Sequence, residues 1–374
     1  MKLVVFGLTV SSSWGNGHAT LWRGLIRALA ARGCRVVFFE QDAPYYAENR
    51  DLAEIEGCDL VLYANWAEVR SRAACEIAKA DAAIVTSYCP DARAAAALMQ
   101  DGGRTSVFYD LDTPVTLARL EDGEHVPYLP TEGLGGFDLV LSYTGGEALT
   151  ALREELGARR TAALYGHADP DAHRPAAAQG PRADLSYIGT YAEDRQAALE
   201  ALFLAPARAR PGKRFVLAGA LYPQDFPWTD NIWFMQHLPP SQHAAFFAAS
   251  RLTLNVTRRD MARMGWCPSG RLFEAAACGT PVLSDDWAGL SSFFEPGREI
   301  LIGGDTEAAL AALDLSDAAL ARIGEAARER LLAEHTSDRR AGQLLGLLEE
   351  ARGGEQAQQQ PAAHVVGRST NLPP

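Results

Sequence analysis

The sequence predicts an α/β protein of two doubly wound parallel sheets that face each other across a cleft. Three observations carry this. Short apolar runs alternate with helical stretches through most of the 374 residues, and that alternation builds parallel sheets with right-handed crossovers. The chain is too long for one small core, so two domains of ordinary size are expected. Between Gly166 and Asp184 a small and polar stretch, beginning GHADPDAHRP, interrupts the alternation and divides it into two series.

In the first series, residues 3–8, 34–39, 60–62, 82–86, 105–109 and 137–142 are apolar runs of strand length. Helices are expected over residues 21–31, closed by Gly33, and over 91–99 and 145–156. In the second series, strands are expected at 185–188, 214–218, 232–235, 252–256, 281–284 and 300–302. Helices follow at 193–203, 241–249, 271–278, 307–313, 317–333 and 337–350. From residue 352 onward Gly, Gln, Pro and Ala appear without periodicity, which reads as a disordered tail. The expected domains are 1–166 and 167–351, with 352–374 as the tail.

Composition sets outer bounds. An apolar share of 48% and a charged share of 22% suit a globular protein in water. A net charge of −12 excludes a broad basic footprint for nucleic acid or an anionic membrane. The six cysteines form no CxxC pair and no cluster with histidine, as expected of reduced thiols in the cytoplasm. Neither a leader nor a run of about 18 apolar residues is read, so no membrane span is expected.

The stretch from Met261 to Gly289 is the most informative. Pro268, Ser269 and Gly270 form a loop ending in an N-cap candidate, and a short helix follows. Gly279 ends that helix, and residues 281–284 are an apolar run suited to a strand buried on both faces. A helix N-terminus behind a Ser-Gly loop offers free amides and a partial positive charge, which suits a phosphate. Arg271 adds a formal charge in the first turn, and Glu274 is placed to accept hydrogen bonds from a ribose diol. The alternative is a plain helix cap with Arg271 and Glu274 as a solvated pair.

The wording of this stretch, FEAAACGTPVLSD from Phe273, resembles the LEAMACGxPVV segment of the family 4-like glycosyltransferases. With PSGR before it and FFEPGREIL after it, it is similar to the CgeB-like branch of that group. The resemblance implies a GT-B fold of two Rossmann-like domains, with the acceptor on the N-terminal side and a nucleotide-diphosphate sugar on the C-terminal side. It also implies that Glu274 holds the donor ribose and that the loop amides before it hold the diphosphate. Trp266 stands where the wider superfamily often has a second Glu. GHADPDAHRP is similar to the NGVDxxxFxP segment that crosses between the domains, with His173 in place of Phe.

Three further motifs are placed near the cleft. SSWGNGHA, residues 12–19, puts Gly17 in a loop able to approach a ligand and His18 at a helix start, as a hydroxyl holder or general base. Its G-x-G-x-x-T spacing lacks the third glycine of a dinucleotide fingerprint, although Glu40 stands near the end of the second strand. FYDLDTPVTL, residues 108–117, sets Asp110 and Asp112 at strand spacing, so that both point to one side. Asp112 is the candidate base, the alternative being a cap for the turn at Thr113-Pro114. YIGTYAEDRQ, residues 187–196, offers Gly189 and Thr190 in a turn. It is similar to the GR…K segment, with Arg195 as the nearest cation, and Arg258 is a further phosphate candidate.

These readings converge on a glycosyltransferase that needs no cofactor and no metal and transfers a sugar with retention to an unidentified acceptor. Rival expectations are a nucleotide-sugar epimerase, a non-catalytic sugar-nucleotide or glycan binder and, more distantly, an NAD-linked oxidoreductase.

Overall fold

The computed structural model describes residues 1–178 and 182–359. Seven strands build the first sheet: β1 (Lys2–Gly7), β2 (Arg35–Gln41), β3 (Cys58–Tyr63), β4 (Ala82–Thr86), β5 (Thr105–Asp110), β6 (Leu139–Ser142) and β7 (Thr161–Ala163). Six build the second: β8 (Leu185–Ile188), β9 (Phe215–Ala218), β10 (Ile232–Met235), β11 (Thr253–Asn255), β12 (Val282–Ser284) and β13 (Leu301–Ile302). The strand orders are β3-β2-β1-β4-β5-β6-β7 and β10-β9-β8-β11-β12-β13. Every pairing between these strands is parallel.

Both orders reverse direction beside the first strand, between β1 and β4 and between β8 and β11. Ligands of doubly wound sheets bind at such switch points, beyond the carboxyl ends of the strands. The central strands are apolar throughout because helices cover both faces; Leu3, Val4, Val5 and Phe6 of β1 are wholly buried. Val4 and Phe6 face a core that includes the helices Trp66–Ala78 and Ala92–Asp101, while Leu3 and Val5 face the helix His18–Ala31.

Two helices of nine or more residues are additions to the sequence expectation. Trp66–Ala78 buries only Val69, Ala73 and Ile77, too thin a stripe to stand out, and Asn65 caps it by accepting the Glu68 amide. Thr113–Glu121 begins with Thr-Pro, which reads as a turn but is equally suited to a first helical turn, where proline's missing N–H has no partner to lose.

The last helix, Ser337–Gln359, returns to the first lobe. Its Ala341, Leu344, Leu348 and Ala351 share a core with Leu3 and Val5, so it packs on the first sheet although it follows the second. An apolar helical stripe is visible in a sequence, but the surface it covers is not. The helix also carries the chain regularly from 352 to 359, into the expected tail; residues 360–374 lie outside the described residues. The outgoing and returning crossovers run side by side: Ala168 bridges Thr336 in parallel, and Ser337 Oγ bonds His167 Nδ1 at 2.8 Å. No described helix is long and apolar enough to cross a membrane.

Candidate active-site cleft

A cleft of about 510 Å³ lies between the two sheets, within the size range of small-molecule sites. Gly17, His18 and Asp112 line it from the first sheet; Gly189, Thr190, Arg195, Arg258, Ser269, Gly270, Arg271 and Glu274 line it from the second.

The wall from the first sheet is rigid behind its ligand face. Glu40, at the end of β2, is fully buried and accepts from Thr9 Oγ1 at 2.9 Å, Val10 N at 2.7 Å, Ser11 N at 3.0 Å and Ser11 Oγ at 2.6 Å. Its carboxylate is thus spent on holding the loop after β1, which removes the one acidic residue that a dinucleotide reading has there. Asn16 caps the next helix by accepting the Ala19 amide at 3.2 Å. That leaves His18 half-buried at the helix start, its ring edge-on to Tyr88 at 5.6 Å and its Nδ1 shielded without a partner. Burial lowers the pKa of His18 and the nearby Asp112 carboxylate only partly offsets this, so the imidazole is neutral near pH 7. Tyr88 holds a left-handed backbone (φ 63°) at the end of β4, the kind of strain that gathers at ligand sites.

Asp110 and Asp112 do not form the expected pair. Asp110 ends β5 fully buried, and its Oδ1 accepts the Asp112 amide at 3.1 Å. Burial pushes its pKa up to about 6. The chain turns into the helix Thr113–Glu121 immediately afterwards, so strand alternation stops and only Asp112 reaches the cleft. Asp112 stands at the N-cap position, but its side chain makes no capping bond, which leaves the carboxylate to the cleft.

The wall from the second sheet carries positive charge. The Arg271 guanidinium lies over the Tyr187 ring at 4.8 Å, donates to the Ile188 carbonyl, and reaches Asn255 Oδ1 at 2.7 Å. Gly189 lies close beneath the guanidinium: a Cβ there would stand 2.7 Å from Arg271 Nη2 and displace it. Arg195 donates to the Thr190 carbonyl at 3.0 Å, and its Nε is buried without a partner. Among the described residues neither arginine is ion-paired, whereas Arg258 is paired with Asp194 at 3.3 Å. Ser269 occupies the N-cap of the helix Gly270–Ala277, yet its hydroxyl donates to Asn255 Oδ1 at 2.7 Å instead of capping. The first amides of that helix therefore remain open to the cleft, beside two uncompensated guanidinium groups.

Glu274 is 9% exposed and is not the partner of Arg271. Its Oε2 lies 3.0 Å from His243 Nδ1 and 3.9 Å from His173 Nε2, while Oε1 faces the turn at Gly270. Burial alone would raise its pKa, but the two histidines outweigh that and hold it at about 2. Neither histidine contact, nor Tyr88, nor the tilted packing of Trp14 on His237 at 4.5 Å across the cleft, is among the sequence expectations. Their only signal is position, at strand ends or in the crossover.

Trp266 lies outside the cleft lining. Its ring packs against Gly146 of one lobe and Gly289 of the other, and its carbonyl accepts the Gly145 amide at 3.0 Å. It acts as a spacer between the lobes.

A family profile described as glycosyl transferase-like matches residues 195–346. Nothing among curated protein sequences matches the chain. Similar solved structures include a sucrose-phosphate synthase from Thermosynechococcus elongatus, at TM-score 0.68 and 16% identity over 94% of this chain and 99% of that one. An α-glucosyltransferase in complex with UDP has TM-score 0.68 and 13% identity, over 93% of this chain and 100% of that one. An α,α-trehalose 6-phosphate synthase from Burkholderia multivorans has TM-score 0.61 and 12% identity, over 95% and 99%. These likenesses establish the architecture, a GT-B fold of two Rossmann-like domains facing a central cleft.

Proposed function

We propose that this chain is a glycosyltransferase, of the CgeB-like kind, that moves a sugar from a nucleotide-diphosphate donor to an acceptor hydroxyl. One observation carries the reading. Open amides at Gly270 and Arg271, the unpaired guanidinium groups of Arg195 and Arg271, and the free Oε1 of Glu274 converge on one side of the cleft. Helix amides with arginines suit a diphosphate, and a low-pKa carboxylate beside them suits a ribose diol. The UDP bound to the structurally similar α-glucosyltransferase supports the same choice of ligand.

On this reading the bond from the anomeric carbon to the diphosphate oxygen breaks, and its electron pair leaves with the diphosphate. Arg195, Arg271 and the helix amides stabilise that charge, so the leaving group itself needs no metal. The acceptor oxygen attacks the anomeric carbon from the wall formed by the first sheet and releases its proton towards Asp112 or neutral His18. Kinship with the family 4-like enzymes favours retention of configuration. Closure of the two lobes would exclude water from the donor.

Thermal-shift screening and calorimetry with UDP, GDP, dTDP and their sugars test the reading. One nucleoside diphosphate is expected to stabilise the chain, and its sugar to be transferred. Absence of binding by every member of the panel would overturn the proposal. Turnover of the donor without any acceptor would point instead to an epimerase.

A further inference from the structure

His173, His243 and Glu274 come from three separate segments: the crossover, the start of the helix His243–Ala248, and the helix Gly270–Ala277. One ligand atom from each lies within 4.8 Å of the others. Neighbouring donors of a tetrahedral zinc-type ion, bound at 2.0–2.1 Å, stand roughly 3.3 Å apart. The separations of 3.0 Å and 3.9 Å from Glu274 Oε2 fall on either side of that value.

The hydrogens sharpen the case. His243 Nε2 lies 3.2 Å from the Leu238 carbonyl and Nδ1 lies 3.0 Å from Glu274 Oε2, and both oxygens can only accept. A neutral ring has a single N–H, so one of its nitrogens turns a lone pair towards an oxygen. A cation between Nδ1 and the carboxylate, with the hydrogen on Nε2, removes that conflict. His173 is 3% exposed, both of its nitrogens are shielded without a partner, and Nε2 approaches the same oxygen. A proton on His243 leaves His173 unsatisfied, and a buried polar group without a partner is costly. A cation engages all three groups. The Nε2–H contact to Leu238 is then the outer bond that orients a metal-bound imidazole.

We propose that His173, His243 and Glu274 bind one divalent transition-metal ion of zinc type at the floor of the cleft. Two imidazoles and a carboxylate are a donor set suited to such an ion. The ion grips Glu274 through Oε2 and leaves Oε1 facing the turn at Gly270. Its role is to position that carboxylate, away from the arginines.

The test uses the full chain, stripped with chelator and titrated without nucleotide, with Co²⁺ followed by visible absorption and Zn²⁺ by calorimetry. The expected result is one Co²⁺ per chain, with the d–d spectrum of a low-coordinate nitrogen–oxygen site, displaced by Zn²⁺. His173→Ala and His243→Ala are each expected to weaken Co²⁺ binding more than about 100-fold, the upper end for loss of an outer partner alone. Removing the exposed His125, which is outside the cleft, should change nothing. Failure of the wild-type chain to bind one equivalent overturns the proposal without reference to any variant. So does an unaltered spectrum in His173→Ala. UDP titration in chelator reads the nucleotide site separately, so loss of either result is attributable to its own proposal.

Discussion

At the scale of single residues, charge is placed by burial and partner. Glu274 is ionised because two histidines outweigh its burial, and Oε1 is left to a ligand. Glu274→Ala is therefore expected to weaken UDP binding by about 1.5–3 kcal/mol in calorimetry, the range for hydrogen bonds to a charged group. His18→Ala should leave UDP affinity unchanged and lower turnover, about 10²–10⁴-fold if the imidazole is the general base, read from steady-state kinetics. Asp110 makes the opposite case. Its folded pKa of about 6 lies above the ordinary carboxyl value of 3.8, so its contribution to stability is fully present below pH 3.8 and is lost as the pH rises through 6. Asp110→Asn removes that loss. Relative to wild type, the variant is expected to gain up to about 3 kcal/mol between pH 4 and pH 7.5 in denaturant unfolding.

At the scale of elements, the helix starts and strand ends facing the cleft were legible in the sequence, because apolar runs, Ser-Gly loops and glycine stops are local signals. Ser269 was legible as an N-cap position, but the diversion of its hydroxyl to Asn255 was not, since Asn255 arrives on the neighbouring strand β11. The same holds for Asp110 and Asp112, whose strand spacing is real until the helix begins between them and the next turn. Trp266 shows how two loops are tied. Gly289 has φ 90°, and a Cβ there would meet the Trp266 ring at 2.5 Å. Gly289→Ala is expected to destabilise the chain by about 1–3 kcal/mol through backbone strain and displacement of the indole. Thermal melts followed by tryptophan fluorescence measure it.

At the scale of the whole molecule, the two lobes are joined by a double crossover rather than a single hinge strand, because the last helix returns to the first sheet. Buried histidines sit in it. His335 donates Nε2–H to the Phe293 carbonyl at 3.3 Å and accepts from Arg340 at Nδ1, 3.0 Å away, so only its neutral form is satisfied. Burial and then Arg340 lower its pKa to about 4, and His167 beside it falls to about 3. Both folded values lie below the ordinary imidazole value of 6.5, so the stability they contribute is present above pH 6.5 and is lost as the pH falls towards 4 and then 3. Between pH 6 and pH 4.5 the unfolding free energy should fall by roughly 1.4 kcal/mol per pH unit for each such proton. His335→Gln should flatten that slope in urea titrations. By itself the sequence determined the alternation of strands and helices, the two-sheet division, and the run of residues that ends in an open helix start at Gly270, all of which depend on near neighbours in the chain. Only the tertiary structure decided that His173 and His243 meet Glu274, that Glu40 is consumed by a loop, and that the final helix crosses back. Those outcomes rest on contacts between residues 29 to more than 300 positions apart, such as Arg32 with Asp338, for which local periodicity carries no signal.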